Sequence, residues 1–78
     1  DLGALERLAE QERQARKRRL TIEMGCLGLI TSRRPADGQL QALVAMVEIA
    51  AELERLADHA QRIARANYLT AAPQLSQP

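Results

Sequence analysis

Residues 40–63 read LQALVAMVEIAAELERLADHAQRI and contain neither glycine nor proline. Leucine, alanine, glutamate, arginine and glutamine, which favour helices, dominate this stretch. When its residues are placed at steps of about 100°, one polar strip runs down the helix and the rest of the surface is largely apolar. The strip contains Gln41, Glu48, Glu52, Arg55, His59 and Arg62. The stretch therefore predicts a long helix whose wide apolar arc contacts more than one neighbouring helix.

The segments on either side of this stretch predict an antiparallel pair of helices. The only central break is residues 33–38, which read RRPADG. Pro35 suits a connection, and Asp37 is placed to cap the second helix. We expect a first helix at about 2–32, a turn at 33–37 and a second helix at about 38–69. Residues 70–78, rich in proline, glutamine and alanine, predict a flexible tail. The expected fold class is all-α, an antiparallel helical hairpin, because so short a connection makes the helices neighbours.

Composition excludes several classes of protein. The chain has 78 residues with 11 basic and 10 acidic side chains, and its net charge of +1 favours no charged partner. Tyr68 is the only aromatic residue, which disfavours a small β domain. A single cysteine, Cys26, excludes an internal disulfide and a cysteine-cluster zinc site. No apolar run approaches the roughly 20 residues that span a bilayer. His59 is the only histidine, so no Ser-His-Asp constellation exists and we predict no catalytic residue.

The two helices are too few to cover their own apolar surface. A chain of this size buries only about 60% of its unfolded surface, and two helices leave one side of their interface open. The sequence also starts at Asp1 rather than at a methionine. We therefore expect a portion of something longer, completed by additional helices or by a homo-oligomer.

Charged residues interrupt both faces that the hairpin would bury. Glu54 and Asp58 are four residues apart on the second helix and point the same way. The interrupting residues of the first helix are Glu12, Arg16, Arg19 and Glu23. A reversal near residue 35 brings Glu12 level with Asp58, and Arg16 level with Glu54. Because a lone buried charge costs several kcal/mol, these groups must be paired, bound to metal or turned to a wet channel.

The run from Ile49 to Ala60, IAAELERLADHA, resembles the signature of the PhoU family, which reads approximately I-x-x-(D/E)-L-E-R-(I/M)-G-D-x-A. Ile22-Glu23, Cys26-Leu27-x-Leu29-Ile30, Arg34-Pro35 and Leu40 also fit the family pattern. The resemblance covers about residues 2–69. It implies the second and third helices of a three-helix up-down repeat, with the remaining helices missing or supplied by a partner.

The resemblance also implies a function. PhoU proteins are bacterial, cytoplasmic and non-enzymatic, and they connect a phosphate-specific ABC transporter with a sensor histidine kinase. The resemblance therefore implies neither direct binding to nucleic acid nor insertion into the membrane. The partners would nevertheless place the protein at the membrane surface. Several members bind metal through E-x-x-x-D motifs on facing helices. Glu54 and Asp58 match one such motif, and Glu12 matches the first position of the other.

In the motif that begins at Glu12 on the first helix, the family has Asp or Asn at the second acidic position, and this chain has Arg16 there. A guanidinium cannot ligate metal and repels a cation. We therefore favour an ion-pair network over a metal site, in which Arg16 pairs with Glu54 or Asp58 and Arg19 and Glu23 are further members. If metal binds, oxygen ligands favour Mg, Mn, Fe or Ca.

The sequence leaves alternative interpretations open for several residues and for the function. Glu52, Arg55 and His59 form either an ordinary solvated face or a partner surface. Residues 13–19 hold five basic side chains, but helical geometry scatters them around the wheel, which disfavours nucleic-acid binding. Cys26 is expected in the core. A generic dimerising hairpin, unconnected with phosphate, is the alternative function. A di-iron bundle is disfavoured, because no histidine follows Glu52 or Glu54 at the required spacing.

Overall fold

The structure is a computed structural model that describes residues 2–75. It consists of α1 (Leu2–Arg33) and α2 (Asp37–Leu75), which pack against each other as an antiparallel hairpin. The hairpin is 66 Å long and contains no strand over the described residues. The all-α hairpin predicted from the sequence is confirmed.

The turn between the helices depends on two local features. Arg34, directly after α1, has a φ of 45°, which is the left-handed conformation that ends many helices and that glycine adopts most easily. The C=O of Ala36 accepts a bond of 2.8 Å from the N–H of Leu40. The N–H of Ala36 donates to Oε1 of Gln39 at 3.2 Å, as in one half of a capping box. The cap of α2 is therefore Ala36, one residue before the Asp37 that we expected, and Asp37 instead places a negative charge in the first turn.

The far end of α2 extends beyond the predicted boundary. The sequence predicted a tail from Thr70, but the helix continues past Leu69 and ends at Leu75. Alanine at positions 71 and 72 favours helix, and the hydroxyl of Thr70 donates to the C=O of Ala66 at 2.8 Å. Residues 76–78 of the predicted tail lie outside the described residues.

Small side chains let the helices approach each other. Cys26 of α1 is 3% exposed and Ala50 of α2 is 5% exposed, and these are the buried apolar side chains of the described part of the chain. Cys26 therefore belongs to the core, as predicted. Gln61 is the buried polar side chain there, and its Oε1 has no hydrogen-bond partner among the described residues.

Large apolar side chains of α2 remain exposed. Five of them lie along one side of the helix and are called the apolar stripe below: Met46, Ile49, Leu53, Leu56 and Ile63. Each is at least half exposed, and Leu56 is 62% exposed. The hairpin therefore leaves apolar side chains along α2 that its own two helices do not cover. Neither helix, over residues 2–75, is both long and apolar enough to cross a membrane.

Candidate functional site: a charged seam between the helices

A row of charged side chains runs along one edge of the contact between α1 and α2. These residues are called the charged seam below: Glu12, Arg16, Arg19, Glu23, Glu54, Asp58, Arg62 and Arg65. Acidic and basic side chains come from both helices, so the seam contains pairs within each helix and pairs between them.

Two ion pairs cross from one helix to the other. Nε of Arg19 donates to Oε1 of Glu54. Farther from the turn, Nη2 of Arg65 donates to Oε1 of Glu12 at 3.0 Å. All four side chains are partly buried, with 26–36% of their surface exposed. Partial burial reduces solvent screening, so these pairs hold the helices together more effectively than pairs on the open surface.

Two further pairs lie within a single helix. Nη1 of Arg19 donates to Oε2 of Glu23 at 2.6 Å, four residues along α1. Arg62 contacts Asp58 at 3.1 Å, four residues along α2. Arg19 therefore bridges two carboxylates. Its hydrogen bond to Glu54 raises the pKa of the guanidinium above its already high ordinary value, which keeps Arg19 positively charged.

Arg16 lies beside a small cleft in the middle of the seam. The cleft has a volume of about 40 Å³ and is lined by Glu12, Ala15, Arg16, Glu54 and Asp58. The structure thus brings together the three carboxylates that the family resemblance selected, and it places Arg16 beside them. Within residues 2–75, no hydrogen bond or ion pair involves Arg16.

The partners in the seam differ from those expected from the sequence. We expected Arg16 to pair with Glu54 or Asp58, but Glu54 is bound by Arg19 and Asp58 by Arg62. The relevant cause is the register of the two helices, because Arg19 and Glu54 line the same groove, whereas the sequence had placed Arg16 level with Glu54.

Sequence reasoning missed the contributions of Arg62 and Arg65. Arg65 lies one heptad after Asp58, so the helical wheel that selected Asp58 also contains the signal for Arg65. Arg62 is four residues after Asp58, the spacing of an ordinary ion pair within a helix. The sequence pattern instead assigned Arg62 to the polar strip, and Arg65 lies beyond the end of the motif.

The predicted interaction strip lies away from the seam on the exposed side of α2. Nη2 of Arg55 contacts Oε1 of Glu52 at 2.9 Å, and these side chains are 70% and 60% exposed. His59 is exposed as well. Such an exposed pair contributes a few tenths of a kcal/mol to stability, so the strip has little structural importance for the hairpin.

A shallow groove lies in the helix contact beside the seam. It has a volume of about 300 Å³, and its apolar lining includes Ile22 of α1 and Leu53 of α2. The groove borders the apolar stripe through Leu53. Arg18, Arg19 and Glu54 also line the groove, so it shares two residues with the charged seam.

Comparison with known proteins identifies the family. Residues 1–66 match the model of the PhoU domain. The chain belongs to the PhoU domain family. A "Phosphate-specific transport system accessory protein PhoU homolog" from a Burkholderia species is 33% identical over 64 residues. That match covers 82% of this chain and 27% of the relative, so the chain spans about a quarter of the relative's length. No solved structure matches the chain.

The position of the PhoU motif in the hairpin explains its pattern. The motif at residues 49–60 lies in the middle of α2. Glu54 and Asp58 of the motif belong to the seam, whereas Glu52 and Arg55 are exposed. Two charged residues of the PhoU motif therefore lie at the contact between the helices, and two lie on the open surface of α2.

The seam of this PhoU chain does not fit a metal ion as its side chains are arranged. A carboxylate site for a divalent cation needs several oxygen atoms that converge on one point. Over residues 2–75, no group of three or more histidine, cysteine, aspartate or glutamate residues could hold an ion. Glu12, Glu54 and Asp58 each face a different arginine instead.

Proposed function

We propose that this chain is part of a PhoU-type regulator of phosphate uptake and phosphate-starvation signalling. The observation that carries the proposal is the PhoU domain match over residues 1–66. The name of the Burkholderia relative, an accessory protein of a phosphate-specific transport system, supports it. The protein acts without catalysis, through contacts with a phosphate ABC transporter and a sensor histidine kinase. It works in the bacterial cytoplasm, at the membrane surface where those partners lie.

The strip of Glu52, Arg55 and His59 is the partner surface in this proposal. Its support is that these side chains are exposed and that their ion pair contributes little to the hairpin. A surface that is unimportant for folding is free to contact another protein. Glu52 and Arg55 give the strip both signs of charge, which suits polar recognition at the rim of an interface.

The direct test measures binding of the intact protein to the transporter ATPase and to the sensor kinase of the same bacterium. Biolayer interferometry is suitable because each partner is tested separately. The Glu52→Ala/Arg55→Ala variant is expected to weaken binding at least about tenfold, as loss of 1.4 kcal/mol would. Glu10→Ala/Arg13→Ala is the matched control, because it removes another exposed pair of the same spacing from α1. Failure of the unaltered protein to bind either partner would contradict the proposal, and equal losses in both variants would contradict the assignment of the strip.

The apolar stripe favours a second candidate, a dimerising helical module that is not coupled to phosphate. A second copy is the occupant, because charge along the polar strip of the sequence analysis changes from acidic at Glu48 and Glu52 to basic at Arg55 and at Arg62, which also belongs to the seam. An antiparallel copy therefore sets unlike charges opposite each other beside the stripe. Light scattering on the intact protein distinguishes the candidates. A dimer that Leu53→Gln/Leu56→Gln dissociates, with no binding to either phosphate-system protein, would favour the module.

A further inference from the structure

Opposite charges balance in the seam. Its acidic members are Glu12, Glu23, Glu54 and Asp58, and its basic members are Arg16, Arg19, Arg62 and Arg65. Each carboxylate has a guanidinium within 3.1 Å. A divalent cation would therefore enter a site that has no excess negative charge.

Arg16 is the member of the seam that the ion pairs do not use. Its side chain lines the cleft together with Glu12, Glu54 and Asp58. An oxygen site for a cation would have to converge in this cleft, and the cationic side chain at its edge opposes any other cation there. A guanidinium also offers five N–H donors and no acceptor, so it stabilises carboxylates without being able to coordinate metal.

We propose that Arg16 supplies in this chain the positive charge that a divalent cation would supply between Glu12, Glu54 and Asp58. The seam is then a metal-independent clamp between α1 and α2. Arg19 and Arg65 hold the carboxylates from either side across the helix contact, and Arg16 lowers the mutual repulsion of the acids at the cleft. This inference concerns only the seam and does not depend on which protein binds the exposed strip.

The first measurement uses the unaltered, intact protein and Mn²⁺ as the probe, with binding followed by electron paramagnetic resonance. The protein is expected to bind no Mn²⁺ and to keep the same melting temperature in EDTA, in Mn²⁺ and in plain buffer. Stoichiometric Mn²⁺, or a melting temperature that falls in EDTA, would overturn the proposal without any variant. Elemental mass spectrometry of the purified protein extends the same test to iron, magnesium and calcium.

The second measurement compares Arg16→Asp, Arg16→Gln and Lys17→Asp. Arg16→Asp adds a carboxylate four residues after Glu12 and is expected to bind Mn²⁺ at least about tenfold more tightly than the unaltered protein. Arg16→Gln removes the guanidinium and its charge without adding a carboxylate, and its affinity is expected to lie between the two. Lys17→Asp makes the same change of charge on an exposed position outside the cleft and is expected to leave Mn²⁺ binding unchanged. Equal gains at positions 16 and 17, or no gain in either Arg16 variant, would show that Arg16 does not take the place of the cation.

Discussion

Exchanging Glu12 for glutamine and Arg65 for methionine, singly and together, measures how strongly the seam joins the two helices. These substitutions remove charge while keeping most of each side chain's volume. The free energy of unfolding of the four proteins, from urea denaturation followed by circular dichroism, yields the coupling energy of the pair. The coupling energy, unlike either single loss, excludes the effects that each substitution has on its own.

The expected magnitude follows from the geometry of the pair. Nη2 of Arg65 lies 3.0 Å from Oε1 of Glu12, and the side chains are 36% and 26% exposed. Unit charges about 4 Å apart interact by about 1 kcal/mol in water and by about 4 kcal/mol at an effective dielectric constant of about 20. Ordering two long side chains opposes this attraction. We therefore expect a coupling energy of about 1 kcal/mol, decreasing in high salt because solvent still reaches the pair.

The exposed pair of Glu52 and Arg55 provides the control. Its N–O distance of 2.9 Å is nearly the same, but its side chains are 60% and 70% exposed. The expected coupling energy is about 0.3 kcal/mol. If the pair of Glu12 and Arg65 couples no more strongly than this control, partial burial does not strengthen the seam and the reasoning is refuted.

Three further predictions concern the turn, the core and one carboxylate. Arg34→Gly is expected to raise the free energy of unfolding by about 0.5–1 kcal/mol, because glycine adopts a φ of 45° without the strain of a side chain; urea denaturation measures it. Gln61→Met is expected to add about 1 kcal/mol in the same assay, because it removes a buried oxygen that has no partner in the described structure. The pKa of Glu10 lies below its ordinary value of 4.5, mainly because Gln14 donates a hydrogen bond to it, so Gln14→Ala is expected to raise that pKa in a carbon-13 NMR titration. Because the pKa of Glu10 is lower in the folded protein than in the unfolded chain, the ionised carboxylate stabilises the fold at pH values above the unfolded pKa. This contribution to the free energy of unfolding is lost as the pH falls through the pKa of the folded protein.

Each of these predictions has an outcome that contradicts it. A loss of stability in Arg34→Gly would mean that the arginine side chain contributes more than its backbone strain costs. Destabilisation by Gln61→Met would mean that the amide has a necessary partner. An unchanged titration of Glu10 in Gln14→Ala would mean that the hydrogen bond of 2.9 Å does not persist in solution.

The local sequence was sufficient to predict the two helices and to select the acidic residues between them. Helix propensity and the break at Pro35 predicted both helices, because these signals act over a few neighbouring residues. The spacing of Glu54 and Asp58 placed both on one face for the same reason. The extension to Leu75 was not predicted, because Pro73 disfavours a helix interior although the alanines before it favour one.

The sequence by itself determined that this protein is an all-α PhoU-type hairpin with charges on the face between its helices. Only the tertiary structure decided the partners of those charges. Arg19 rather than Arg16 binds Glu54, and Arg65 binds Glu12. The physical reason is that helical periodicity determines the direction of a side chain within its own helix. The register between two helices depends instead on how the turn ends and begins them and on how small residues such as Ala50 pack.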